Sequence, residues 1–312
     1  MPIMPSDDWE LLNVTAAPAV ESLAARLGWA FRRQQTVSLL QAGWVIGLRR
    51  NTQLLATAAV FHYDEAWASL GMVMVDPDVQ RQGIGRRLVS ACLERVRDHT
   101  QCISLVSTAA GYPLYQSLGF ETLDTVYRYQ LRLEKVTENG AGSTARHRLG
   151  TAPHADHARH TTRCVCLREE QWTDLVDLDR IAVGANRSRL YISSIEATPD
   201  STPTRSQTAL GSFAPDGRLS GVALVTAKPG ALAVGPLIAA SLPEALALLS
   251  AVQRVTHGVL RIDVPGSQTA FRHALEQTGW QLVMHSPLMT WHGTPLPGQR
   301  HLLYGLLDPA LG

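Results

Sequence analysis

Net charge, cysteine and long apolar runs are all scarce in this sequence, and each shortage excludes a class of protein. The 28 basic residues are balanced by 27 acidic ones, so the formal net charge is +1 and offers no basic field for nucleic acid or an anionic membrane. No run of about 18 apolar residues occurs, so no transmembrane helix is predicted. The N-terminal segment lacks the basic and apolar regions of a signal peptide, which predicts a cytoplasmic protein.

The 312 residues include only 4 cysteines, and their positions do not suggest disulfides. Cys92 and Cys102 fall in apolar segments, while Cys164 and Cys166 alternate along a predicted strand. We interpret all four as reduced packing residues, as expected for a protein of the cytoplasm.

The chain length predicts two domains, since a typical domain holds roughly 100 to 200 residues. Residues 136–161 are small and polar with no apolar period, so we expect them to link a first domain, 1–135, to a second, 162–312. The segment His154 to His160 holds three histidines spaced by three, but a metal site needs its ligands in a fixed geometry. We therefore interpret these histidines as solvated linker residues and predict no metal.

Residues 70–88 are the most informative stretch of the chain. An apolar strand ends at Val75 and is broken by Asp76-Pro77, because proline cannot donate to a sheet. A polar loop follows, and Gly83-Ile84-Gly85 opens a helix with an apolar face. A helix N-terminus exposes unpaired N–H groups, and glycine lets a ligand approach the backbone closely. The stretch therefore predicts an anion site suited to a pyrophosphate.

Three cofactor classes use such a site. A P-loop requires Gly-Lys-Ser/Thr at the helix start, whereas two arginines follow Gly85. A dinucleotide site requires G-x-G-x-x-G and an acidic residue at the end of the next strand, whereas residues 106–108 read Val-Ser-Thr. The order Gln80-x-x-Gly83-x-Gly85 instead resembles the Q/R-x-x-G-x-G/A signature of the GCN5-related N-acetyltransferase (GNAT) family. The segment 112–120, with a tyrosine ahead of Gly-Phe, resembles the second hallmark of that family.

The resemblance covers residues 9–133 and implies the fold of the family, an α/β (α+β) domain whose mixed, mostly antiparallel sheet is splayed and flanked by helices. It implies acetyl-CoA as the co-substrate. In the family, the strand before the glycine loop pairs with the pantetheine arm, and loop amides hold the pyrophosphate. The cofactor-binding residues it implies are Val73, Met74, Val75, Gln80, Arg81, Gln82, Gly83, Ile84, Gly85 and Arg86. Arginine side chains there add charge-assisted contacts or stay solvated, and Ile84 is expected to pack under the helix.

The catalytic residue that the resemblance implies is Tyr115, four residues before Gly119. In the family an amine attacks the thioester, a backbone N–H near Val75 would stabilise the oxyanion, and a tyrosine protonates the leaving thiolate. The alternative is that Tyr115 packs in the core and that Tyr112 or neither lies near the sulfur.

The amine also needs a general base or a water path, and the sequence assigns none. His62, Asp64 and Glu65 follow a predicted strand on the expected side. None of them matches a motif, and we interpret each as a surface residue and leave the base unassigned.

The second half repeats the order of elements of the first, so we expect a second domain of the same fold. Gly279-Trp280 takes the place of Gly119-Phe120, and residues 235–238 take the place of 75–77. This half resembles the C-terminal domain of tandem bacterial acetyltransferases.

The second half departs from the pattern at its functional positions. Residues 239–243 read Ala-Ala-Ser-Leu-Pro without the glycine motif, and Glu276 lies near the place of the tyrosine. We predict that this half has lost catalysis and shapes the acceptor pocket or stabilises the first half. Asp263, at the end of a strand, is a candidate acceptor-site carboxylate or a capping or turn residue.

The sequence thus favours transfer of acetyl from acetyl-CoA to a primary amine of a small metabolite. Acetylation of a protein lysine or N-terminus is the alternative, and a non-catalytic module that binds or senses acyl-CoA is a hypothesis of another class. A monomer is preferred, because the tandem fold can satisfy within one chain a contact that single-domain relatives make by dimerising. A homodimer stays open.

Overall fold

The computed structural model describes residues 7–134, 163–192 and 207–312. The elements of the first half are β1 (Asp7–Leu11), α1 (Ala17–Arg26), α2 (Arg33–Ala42), β2 (Trp44–Arg50), β3 (Gln53–His62), β4 (Trp67–Val75), α3 (Ile84–Val96), β5 (Cys102–Val106), α4 (Tyr112–Gln116) and β6 (Phe120–Leu133). Those of the second half are β7 (Cys164–Cys166), α5 (Trp172–Val183), α6 (Arg189–Ile192), β8 (Gln207–Phe213), β9 (Leu219–Lys228), β10 (Ala231–Ile238), α7 (Leu242–Val255), β11 (Gly258–Pro265), α8 (Thr269–Gln277), β12 (Gln281–Trp291) and β13 (Leu303–Gly305). The expected linker and its histidines lie outside the described residues.

All of these strands belong to one sheet. Its order is β1-β2-β3-β4-β5-β12-β6-β11-β10-β9-β8-β7, with β13 beside β10. Among the described strands, two neighbouring pairs are parallel, β4 with β5 and β10 with β11. Each half therefore contains one parallel pair in an otherwise antiparallel sheet, which confirms the predicted fold class.

The two halves exchange strands at the centre of the sheet. β12, from the second half, lies between β5 and β6 of the first half. In return, β6 lies between β12 and β11 of the second half. This exchange leaves neither half with an exposed strand edge at the centre. An unpaired edge there would be open to association with other chains.

Helices cover both faces of the sheet, and their buried faces follow the sequence pattern. On α3 the buried positions include Leu88, Val89 and Cys92, which recur at the spacing of one helix face. α7 begins with Ser241 as its N-cap and proline in its first turn, a favourable start for a helix.

The hydrophobic core joins the halves. One buried cluster contains Leu23 and Trp67 from the first half together with Leu175 and Leu306 from the second. The guanidinium of Arg300 stacks over the Trp67 ring at 4.6 Å from its centroid, a cation–π contact across the two halves.

None of the four cysteines, all in described segments, forms a disulfide. Within those segments no helix is long and apolar enough to cross a membrane, and no group of three or more histidine, cysteine or acidic side chains is placed to hold a metal ion.

Candidate active site

β4 and β5 separate where the site begins. Their parallel pairing runs as far as Leu70 opposite Leu105. Beyond this point β4 keeps only β3 as a partner, with a shift of register in β4 where Met72 has a positive φ of 51°. The hydroxyl of Thr57 donates to the Met72 carbonyl at 2.7 Å and fixes this irregularity. The β5-facing backbone of residues 71–75 is therefore left open to a gap.

The loop after β4 is anchored by buried charge. The Asp76 carboxylate is buried and pairs with the Arg26 guanidinium at 2.9 Å. Its other oxygen accepts the amide N–H of Asp78, which caps the short turn that follows. Because a buried carboxylate needs such partners, this pair holds the glycine loop in position relative to α1.

The glycine loop presents an open helix start. Gly83 caps α3 in the left-handed region, with φ of 79°, and no side chain caps the helix. In the described part of the chain, the amides of residues 82–86 donate to no other group. These N–H groups and the positive end of the helix dipole are unoccupied by other groups of the described chain, as the predicted anion cradle requires.

Several side chains of the glycine loop are already hydrogen-bonded or buried within the protein. Gln80 donates from Nε2 to the Val75 carbonyl at 2.9 Å, and Arg86 donates to the Ser117 hydroxyl at 2.6 Å. Ile84 is buried under the helix, as expected. The backbone amides are therefore the groups best placed to receive an anion here.

Tyr115 faces the cavity in front of this gap. Its ring is buried and packs edge-on against Phe120, with centroids 6.0 Å apart. Its hydroxyl has no hydrogen-bond partner among the described residues, and burial raises the pKa of Tyr115 to about 12. The Tyr112 hydroxyl is instead bonded to Thr122 and Gln116. Of the two tyrosines considered from the sequence, Tyr115 alone lines the cavity.

The cavity lies between the two halves and has a volume of about 470 Å³. The first half contributes residues 70–73, residues 106–108, Tyr115 and the segment after α1. The second half closes the opposite side with the β9–β10 turn, strands β11 and β12, and residues 308–310.

Four charged side chains line this cavity, and sequence reasoning missed all of them as site residues: Arg128, Lys228, Arg261 and Asp308. Lys228 pairs with Asp308 at 2.8 Å. Lys228 and Arg261 hold the pKa of Asp308 at about 2, against the effect of its burial. Pro229 and Gly230 indicate the β9–β10 turn, but nothing in the turn indicates that its lysine faces a site.

Asp263 has a different role from the expected ones. Its oxygens accept from Arg128 and Arg261, each at 2.6 Å. It lies inside β11 as the shared anion of two guanidiniums, so it is neither a cap nor a turn residue and it does not line the cavity. The sequence could not show this, because Arg128 reaches it from a strand of the first half.

The three candidate bases also lie away from the cavity. His62, Asp64 and Glu65 are exposed and follow the end of β3, beside the start of β4. Asp64 accepts backbone N–H groups of Ala66 and Asn186. β3 and β4 are antiparallel, so the end of β3 lies away from the glycine loop.

In the second half, the equivalent gap is filled by the chain itself. β10 and β11 pair in parallel through Val234 opposite Ile262 and then separate. β13 pairs with β10 at Leu237 and Ile238, beyond that point. A Cβ on Gly235 would lie 1.8 Å from the Leu306 carbonyl oxygen, so the backbone approaches here as closely as glycine permits.

The start of α7 is likewise occupied. The Glu244 carboxylate accepts the Ala240 amide N–H at 2.8 Å and the Ser212 hydroxyl at 2.7 Å. A carboxylate of the chain therefore sits where the first half offers open amides. Glu276 accepts from the Tyr129 hydroxyl at 2.6 Å, so it too has a structural partner.

An open strand backbone and a protonated tyrosine at one cavity, with unpaired amides at the helix start that follows the strand, suit an extended ligand with an anionic end. Comparison with known proteins identifies the class. Residues 10–120 match the acetyltransferase (GNAT) family, and residues 175–305 match an acetyltransferase (GNAT) domain family. The chain belongs to the GNAT family of acetyltransferases, which use acetyl-CoA as co-substrate, and carries two such domains in tandem.

Similar proteins span the whole chain. A Bacillus subtilis (strain 168) protein named uncharacterized N-acetyltransferase YitH is 29% identical over 293 residues, 93% of each chain. A solved structure from Pyrococcus horikoshii is 18% identical, with a TM-score of 0.74, and covers 100% of this chain and 98% of that one. A GCN5-related N-acetyltransferase from Sphaerobacter thermophilus is 14% identical, with a TM-score of 0.63, and covers 95% and 99%. At these identities the two structures support the fold alone.

Proposed function

We propose that this chain transfers an acetyl group from acetyl-CoA to a primary amine of a small molecule, and that the first half carries the reaction. The observation that carries the proposal is the cavity of about 470 Å³, which joins the open strand β4 to Tyr115 and is bounded on its other side by the second half. A concave site walled on both sides in this way suits a small acceptor better than an extended protein segment.

Cofactor binding is assigned to backbone groups. The pantetheine arm would pair with the open edge of β4 at Val73 to Val75, and the pyrophosphate would rest on the amides of residues 81–86. In this structure the Val75 carbonyl already accepts from Gln80, so Val73 is the better partner for the arm. Gln80 would then act by fixing the loop against the strand.

The chemistry follows from the groups that face the cavity. The amine attacks the thioester carbonyl, whose oxygen gains negative charge that a β4 amide would stabilise. The thiolate leaves, and Tyr115, which its raised pKa keeps protonated, gives it a proton. Asp308 is the single carboxylate among the described lining residues, and with a pKa of about 2 it is too weak a base to take the proton of the amine.

This lack of a base predicts the pH dependence. Below the pKa of the acceptor amine, kcat/KM is expected to rise about tenfold per pH unit, since only the neutral amine attacks. Asp308 stays ionised above its pKa of about 2, and Tyr115 stays protonated below its pKa of about 12. Profiles for two amines of different pKa should therefore have midpoints that follow the amine. A midpoint common to both amines would reveal an enzyme base.

We also propose one cofactor site per chain, with 1–135 as the catalytic domain and 162–312 as its partner domain. β13 occupies the second gap, and Glu244 occupies the start of α7. Calorimetric titration of acetyl-CoA is expected to give a stoichiometry of one. A stoichiometry of two would refute the proposal that the second half binds no acetyl-CoA. No binding would refute the proposed function.

The variant Gly83→Val tests whether acetyl-CoA binds at the glycine loop. Its φ of 79° strains a β-branched residue, and its side chain would project into the open space at the start of α3. Gly217→Val is the control, because Gly217 has φ of 84° and equally open surroundings in a turn of the second half. We expect Gly83→Val to weaken acetyl-CoA binding at least tenfold and Gly217→Val to leave it unchanged. Equal binding by the two variants would place the cofactor elsewhere.

A further inference from the structure

The cavity carries an excess of positive charge at its second-half side. Three cationic side chains line it, Arg128, Lys228 and Arg261, against one lining carboxylate, Asp308. Asp263 stands behind the two arginines. With that carboxylate included, the group still holds three positive and two negative charges.

The two guanidiniums, and not the carboxylate between them, are open to the cavity. Arg128 and Arg261 are 22% and 20% exposed, whereas Asp263 is 7% exposed. Three of their N–H groups donate to Asp263, and the others have no acceptor among the described residues. Guanidinium N–H groups in this arrangement match the oxygens of a carboxylate or phosphate.

A second observation indicates that the occupant is polar. The side-chain oxygen of Gln35 is buried and has no hydrogen-bond partner among the described residues, yet Gln35 lines the same cavity. A buried acceptor without a partner is costly. A ligand N–H or O–H would satisfy this oxygen.

We propose that the acceptor amine carries an oxyanion group, a carboxylate or a phosphate ester, which Arg128 and Arg261 bind while the amine points toward the open edge of β4. This inference rests on the proposed function and names its substrate class. Lys228 adds to the field but is committed to Asp308, so the two arginines are the specificity-determining residues.

The test compares matched amines with acetyl-CoA as donor. The probes are 4-aminobutanoate, its neutral amide, the dication 1,4-diaminobutane and the phosphate ester 2-aminoethyl phosphate. We expect kcat/KM, corrected to the neutral amine, to be at least about tenfold higher for an anionic probe than for the amide or the diamine. Comparison of 4-aminobutanoate with 2-aminoethyl phosphate shows which of the two oxyanions the site prefers. Equal rates or a preference for the diamine would overturn the inference alone, and no transfer to any probe would overturn the proposed function together with it.

The variant Arg128→Gln tests whether Arg128 determines the preference for anionic amines. Arg261 still donates two bonds to Asp263 in this variant, so the fold is expected to persist. We expect the preference for anionic over neutral amines to fall about tenfold, mainly through KM, and Arg128→Lys to restore part of it. Arg132→Gln is the control, since Arg132 lies on the same strand but is exposed and does not line the cavity. An unchanged preference in Arg128→Gln would make the arginine pair structural.

The two failures are distinguishable. If the inference alone fails, acetyl-CoA still binds, and amines are acetylated without regard to their charge. If the proposed function fails, acetyl-CoA binding or acetyl transfer is absent for the wild-type protein whatever the amine.

Discussion

Replacement of Tyr115 by phenylalanine is expected to lower kcat by about 10²- to 10³-fold while acetyl-CoA binds with unchanged affinity. The hydroxyl is the only part removed, and in this structure it bonds to no described residue. The ring and its contact with Phe120 remain, so little stability should be lost. Steady-state release of free CoA thiol gives kcat, and calorimetry gives the affinity for acetyl-CoA.

Tyr112→Phe is the matched control on the same short helix. Its hydroxyl bonds to Thr122 and Gln116 rather than facing the cavity, so kcat should change less than about twofold. A Tyr115→Phe enzyme with undiminished kcat would show that the thiolate leaves without protonation by this residue. Loss of acetyl-CoA affinity in Tyr115→Phe would indicate a binding role instead.

The anion cradle could be predicted from the sequence because all its parts are consecutive. The strand end, the break at Asp76-Pro77 and the glycine pair that starts α3 lie within residues 70–88. Each of these features has a local physical cause that can be identified from the sequence. By contrast, Arg26, which fixes the buried Asp76, comes from α1, and no local pattern connects the two.

The acceptor side of the cavity could not be predicted. Arg128 belongs to a strand of the first half, whereas Arg261 and Lys228 belong to the second. They meet because β6 crosses into the sheet beside β11. A strand pattern shows that a segment is extended but not which strand it pairs with, especially when the partner is more than 100 residues away.

Strand lengths show the same limit. The residue pattern alone indicates a strand over 125–133, but β6 begins at Phe120. Its first residues pair with the end of β12, Phe120 opposite Trp291. The loss of the second glycine motif could be predicted from the sequence, but the strand β13 that fills the second gap could not, because it has three residues and no turn pattern.

The second large effect concerns separation of the halves. A chain ending at residue 135 is expected not to fold, because it loses β12 and β11, the neighbours of β5 and β6. It also loses Arg300 and Arg187, which stack over the buried Trp67. A typical domain has a free energy of unfolding of about 5–15 kcal/mol. Exposure of that core and of both edges of a 14-residue strand is expected to cost more than this. Thermal unfolding followed by circular dichroism should show no cooperative transition for residues 1–135.

Co-expression of 1–135 with 162–312 separates loss of strand pairing from loss of the covalent connection. If pairing is what matters, the two fragments should assemble one to one, unfold cooperatively and bind one acetyl-CoA, because every exchanged strand is again present. The matched control is the full chain cut at a protease site inserted within 136–161, which should stay assembled after cleavage. A folded, monomeric 1–135 that binds acetyl-CoA alone would contradict this view. The second half would then be an accessory to a self-sufficient enzyme, and the charged wall that it contributes to the cavity would be its remaining role.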